Sequence, residues 1–125
     1  MNNEIKERLK DIKIENFIWL IYIGIIILSY YSNELEKDYF LNNNINSKEK
    51  YRNIIIIIFS ILLIVYFYFF LDSYNDLKNL NNYSKEKQNK IILSFIGSLL
   101  ILISGIIFLF LAYTDENLDV ELAFN

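Results

Sequence analysis

The sequence predicts an all-α membrane protein of three transmembrane helices packed as an antiparallel bundle. Three observations lead there. Charged residues fall into four blocks, at 4–15, 34–52, 72–90 and 115–121, and the intervals between blocks carry none. Those intervals, 16–33, 53–71 and 91–114, run from 18 to 24 residues, long enough at ~1.5 Å per helical residue to bridge the roughly 30 Å hydrocarbon layer of a bilayer. Hydrophobic residues make up 54% of the chain, above the roughly 45–50% of soluble domains, which interleave charged and apolar positions instead of segregating them. The 125 residues read as a single integral membrane domain, with connections at 34–52 and 72–90 and an acidic tail at 115–125.

The N-terminal block places Ile5, Leu9 and Ile12 on one helical face, with Glu4 and Arg8 spaced as an i,i+4 ion pair. It fits two readings equally: a short N-terminal amphipathic helix lying on the inner leaflet, or a solvated extension of the first span. The span at 16–33 has the core FIWLIYIGIIIL. The following SYYSNE offers no small-x-small cleavage site, so this segment is expected to stay as an uncleaved span rather than act as a secretory signal.

The span at 53–71 is the clearest. Fifteen of its nineteen residues are strongly apolar, and five isoleucines stand in a row. A strand of that length would be several times the usual five or six residues. A soluble helix would need a polar face, and no helical face here is polar. Isoleucine is a mediocre helix former in water, but in lipid the backbone must bond to itself, and the environment overrides that preference. At roughly −0.3 to −0.6 kcal/mol for each Leu, Ile, Phe or Val near a helix centre, such a segment inserts with several kcal/mol in hand. The span at 91–114 is longer and accommodates by tilt.

The connections contain the breakers NNNINS (42–47) and NLNNYS (79–84), each ending in a serine placed as a helix N-cap. Ser-Lys-Glu-Lys follows both times, at 47–50 and 84–87, and at the same offset of 37 Ile54, Ile55, Leu62, Leu63 and Ile64 align with Ile91, Ile92, Leu99, Leu100 and Ile101. Duplication is one explanation. Biased composition and the shared need for a cap, charge and an apolar helix is a cheaper one.

Lys and Arg counts set orientation. The N-terminal block and second connection hold eight together, and the first connection holds four. The N-terminus is therefore expected in the cytoplasm of a multi-pass cell-membrane protein and the tail outside, although Lys48, Lys50 and Arg52 sit against the second span on the outer side. Trp19, Tyr30, Tyr31, Tyr66 and Tyr113, with Tyr51 and Tyr68, lie near span ends, as interfacial anchors should.

Small residues in the third span recur at seven-residue spacing, Ser98, Gly105 and Ala112, with Ser94, Gly97 and Ser104 nearby. That spacing keeps them on one stripe of a left-handed helix pair, where small side chains admit a neighbouring backbone. The expected partner of this helix-packing seam is Gly24 of the first span; the alternative is self-association through the third span or another membrane protein. In the tail, Asp115, Glu116, Asp119 and Glu121 lack the spacing and turn glycine of a Ca²⁺ loop. Leu118, Val120, Leu122 and Phe124 alternate as a strand added to a partner's sheet edge would.

Much chemistry lacks its side chains. There is no Cys and no His, so no thiolate nucleophile and no imidazole for proton transfer or metal ligation. A net charge of −3 without a basic cluster argues against a nucleic-acid partner. The spans carry no charged residue, whereas transporters and proton relays usually keep such groups in the membrane. No phosphate-binding glycine loop or nucleophile–base grouping stands out. The expectation is no enzyme, no cofactor and no metal, but a small integral membrane protein acting as a non-catalytic accessory or interaction protein, with the lipid bilayer and another membrane protein as partners. The alternatives are a holin-like, self-assembling membrane permeabiliser and an immunity protein against a membrane-active peptide.

Overall fold

With no proline anywhere and few glycines, nothing in the sequence stops a helix except its asparagine clusters. The computed structural model, which describes residues 2–115, follows that rule. Helix α1 runs Asn3–Asn42, α2 Ile45–Lys78 and α3 Lys85–Thr114, with one 3₁₀ turn at Leu80–Asn82 before α3. Each of the three helices is long and apolar enough to cross a membrane. At 40, 34 and 30 residues, they measure about 60, 51 and 45 Å. All three outrun the hydrocarbon layer, so the charged blocks continue the helices rather than separating them.

Asn2 starts α1: its side-chain oxygen accepts the Ile5 N–H at 2.8 Å. From there the helix is unbroken, which decides between the two readings of the N-terminal block. It is an extension of the first span and not a separate helix. Arg8 does not pair with Glu4 as expected but donates to Glu15, two turns on, at 3.1 Å. Along α1, Ile18, Ile25 and Ser32 are buried at seven-residue spacing, and the Ser32 hydroxyl donates to its own helix at the Ser29 carbonyl, 2.8 Å away.

The turn between α1 and α2 uses only Asn43 and Asn44, far less than the connection expected from 34 to 52. Asn43 takes the left-handed conformation (φ 52°, ψ 34°) that ends a helix, a geometry asparagine tolerates better than other residues with a Cβ. Asn44 then accepts the Asn46 N–H at 3.1 Å. Ser47 is consequently not the N-cap that its position suggested. It lies inside α2, buried, and its hydroxyl donates to Asp38 Oδ2 at 2.5 Å. The Asn42 and Asn44 amides donate to the same carboxylate at 2.7 and 2.9 Å, and the Lys48 ammonium sits 5.4 Å above the Tyr39 ring. One carboxylate thus gathers donors from both helices and the turn.

The second connection meets expectation at its serine. Tyr83 is extended and closes the 3₁₀ turn through its N–H to Leu80 O at 3.2 Å. Ser84 caps α3 by accepting the Lys87 N–H, and the Gln88 amide donates back to Tyr83 O at 2.9 Å. The two Ser-Lys-Glu-Lys copies therefore occupy different places, one within a helix and one at its start.

Residues 55–115 form an antiparallel hairpin of α2 and α3, with pairs that run in opposite directions along the two helices. Phe59 stacks on Phe108 with ring centroids 5.8 Å apart, and Phe95 meets Phe70 at 5.4 Å and Tyr74 at 6.3 Å. Ile55, Ile58, Phe59, Leu62 and Val65 are buried. Ser60 and Thr114 turn their hydroxyls onto the carbonyls four residues earlier, at 2.7 and 2.9 Å, which satisfies them inside their own helices as a lipid setting demands.

Candidate functional site

The small-residue seam of the third span is the first candidate. On α3, Ile91, Gly105 and Ala112 are buried and Ser98 is half-buried, its hydroxyl donating to Phe95 O at 2.9 Å. Burial thus recurs at seven-residue spacing at Gly105 and Ala112, and Gly105 packs on α2. A Cβ at residue 105 would lie 3.0 Å from Tyr66 Cδ2 and 3.4 Å from Leu63 Cδ1. Gly105 is thus the gap into which the Tyr66 ring fits, a short-range contact within the hairpin.

That contact gives Tyr66, one of the expected interfacial anchors, a packing role in the hairpin. Tyr66 is half-buried over Gly105, whereas Trp19, Tyr30, Tyr31 and Tyr113 are all exposed, as anchors at the headgroup level would be.

An open apolar groove of about 370 Å³ runs along the hairpin, lined by Leu63, Ile64, Phe67, Leu102 and Ile106. None of these side chains offers a polar atom to fix an orientation, and a site for a specific small molecule needs a few. Among the described residues, no group of three or more His, Cys, Asp or Glu side chains could hold a metal ion. Of the tail residues, Asp115 caps the end of α3 through its N–H to Leu111 O at 2.9 Å. Glu116, Asp119 and Glu121, and the alternation from Leu118 to Phe124, lie outside the described residues.

The α1–α2 corner is the feature that sequence reasoning missed. Helical segments 34–42 and 45–52 carry it about 12 Å past the uncharged intervals, and its tip presents Phe40, Leu41 and Ile45 at 60, 70 and 65% exposure. Large apolar side chains clustered beyond the lipid-facing intervals are an informative exposure. Asp38 holds this tip in shape. The Ser47 hydroxyl first, then the Asn42 and Asn44 amides, keep its carboxyl below its ordinary pKa of 3.8, because each donates to the charged form. A group with a depressed folded-state pKa stabilises the fold above its unfolded value and loses that contribution as pH falls through the lowered one. Protection of the Ser47–Lys50 amides, measured against their intrinsic exchange rate at each pH, is therefore expected to be constant from neutral pH down to the ordinary carboxylate range and to fall as pH drops further. Asp38→Ala should show the reduced protection at every pH, and an unchanged protection pattern in that variant would contradict the role given to this carboxylate. The signal was present as an Asp and three Asn around a turn, residues that bond back to nearby backbone and side chains.

Comparison of the chain with protein-family models, with curated proteins and with solved structures gives no match.

Proposed function

We propose that this protein is a non-catalytic accessory protein of the cytoplasmic membrane, whose work is to bind another integral membrane protein. The observation that carries the reading is the α1–α2 corner: a hydrogen-bonded turn that exposes Phe40, Leu41 and Ile45 beyond the ends of the uncharged intervals. With the N-terminus in the cytoplasm, as the eight-to-four Lys and Arg asymmetry favours, this corner stands outside. A partner would meet it there, beside its own span. The spans supply no Asp, Glu, Lys, Arg or His for a conduction path, which disfavours a permeabiliser, and paired carboxylates stand only in the charged blocks, which disfavours acid–base catalysis.

The test uses the tagged full chain, solubilised gently from its own membranes. One larger membrane protein is expected to co-purify in stoichiometric yield. The combined F40S/L41S/I45S variant should lose it while keeping full helicity. Three results would overturn the proposal: no stoichiometric partner, a collapse of membrane potential on over-expression (a pore), or protection of sensitive cells against a membrane-active peptide encoded nearby (immunity).

A further inference from the structure

Counted by side chains, the N-terminal block and the first connection each balance four Lys and Arg against four Asp and Glu, and the tail holds only acids. The second connection alone carries a positive excess: Lys78, Lys85, Lys87 and Lys90 against Asp72, Asp76 and Glu86. All seven residues belong to the α2–α3 hairpin, so their arrangement is a property of the hairpin itself.

Two of the lysines are held in place. The Lys78 ammonium sits 4.9 Å from the centre of the Tyr74 ring, and that of Lys87 4.5 Å from the Tyr83 ring. Tyr74 is itself packed against Phe70 of its own helix and Phe95 of α3, with ring centroids 6.4 and 6.3 Å away. The Tyr83 backbone is fixed at both ends: its N–H closes the 3₁₀ turn, and its carbonyl accepts the Gln88 amide at 2.9 Å. A ring face attracts an ammonium without neutralising it and leaves N–H donors free on the far side. Among the described residues, none of the four lysines forms an ion pair. The hairpin positions positive charge and supplies no counter-ion for it.

Depth decides what can. Helix α2 continues to Lys78 and α3 starts at Lys85. Lys78 therefore stands about 10 Å beyond Leu71, and Lys85, Lys87 and Lys90 about 9, 6 and 1.5 Å before Ile91. A bilayer of about 40–45 Å with a hydrocarbon core of roughly 30 Å has a headgroup layer of roughly 5–8 Å on each side. The long lysine stem brings the ammonium into that layer from above or below.

We infer that the second connection binds the phosphates of anionic phospholipids through Lys78, Lys85, Lys87 and Lys90. The inference rests on the membrane-spanning reading, and neither on the partner proposed for the corner nor on which leaflet the connection faces. A zwitterionic headgroup offers the same phosphate but brings a cation of its own, which the lysines repel. An excess of one positive charge at an anionic surface corresponds to a preference of about fivefold.

The test reconstitutes the full chain into phosphatidylcholine vesicles holding a minor fraction of phosphatidylglycerol, with a spin-labelled tracer of each lipid. Electron paramagnetic resonance then reads the fraction of each that the protein immobilises. Phosphatidylglycerol is expected to be favoured about fivefold at low salt, and the preference should vanish near 1 M salt, where the screening length is about 3 Å. K78Q/K85Q/K87Q/K90Q, checked for parental helicity, should lose the preference, whereas K37Q/K48Q/K50Q in the first connection should keep it. No preference in a parent that resists alkaline extraction would overturn the inference while leaving the spanning reading intact. So would a preference that survives in the four-lysine variant, an equal loss in both variants, or abolition by inorganic phosphate at constant ionic strength, since a free anion would then be the ligand.

Discussion

Leucine 62 replaced by lysine is expected to leave little folded protein in the membrane. Leu62 stands midway in the uncharged interval 53–71 and is only 5% exposed, so the substitution acts twice. Exchanging a residue worth roughly −0.3 to −0.6 kcal/mol at a helix centre for one costing about 2.5–3.5 shifts insertion by roughly 3–4 kcal/mol, a factor of several hundred. The lysine that does enter meets a buried position, where an unpaired ammonium is penalised again. Leu93→Lys is the control: it adds the same charge near a span end, at a site 68% exposed, where a long side chain reaches the headgroups. Resistance to alkaline extraction and helicity by circular dichroism should fall sharply for L62K and stay near parental for L93K. If both variants behave like the parent, or the parent is monomeric and compact in buffer without detergent, the bilayer is not this chain's solvent.

Gly105→Leu is expected to destabilise the α2–α3 hairpin by about 1–3 kcal/mol, the usual effect of overpacking a filled interior. Even a bare Cβ there would stand 3.0 Å from the Tyr66 ring, and the rest of a leucine has nowhere to go without pushing α3 off α2. Gly24 and Gly97 have nothing within 4 Å of the equivalent position. Gly24→Leu and Gly97→Leu should therefore be close to neutral, as leucine is a better helix former than glycine. Unfolding in mixed detergent micelles, followed by the loss of helicity, would rank the three. Equal effects at 24, 97 and 105 would show that the cost is glycine replacement itself and that Gly105 is not a packing gap. Tyr66→Leu, which shortens the facing side chain, should relieve part of the G105L defect, since residues in contact do not add independently.

Three spans were legible from residue order because insertion is decided segment by segment. Each uncharged interval carries its own transfer free energy, whatever it later touches, and the backbone inside lipid has one way to bond to itself. The seven-residue stripe on α3 was legible for the same reason, since a helix of known pitch assigns its faces. Ser84 as a cap was legible too, because a cap is a bond within one turn.

What residue order left open concerns groups that meet only when the chain has turned. The two Ser-Lys-Glu-Lys copies read identically, yet Ser84 opens a helix while Ser47 lies inside one. The difference is Asp38, nine residues before Ser47, which the Asn43–Asn44 turn brings within 2.5 Å of that hydroxyl. Gly105 could have faced any neighbour. It faces Tyr66 and Leu63, residues that precede it by 39 and 42 positions and meet it only once the chain has folded back. Helices and their faces follow from short-range bonding and solvent, which act on each segment alone. Which face meets which neighbour is settled by packing, a property of pairs far apart in the chain.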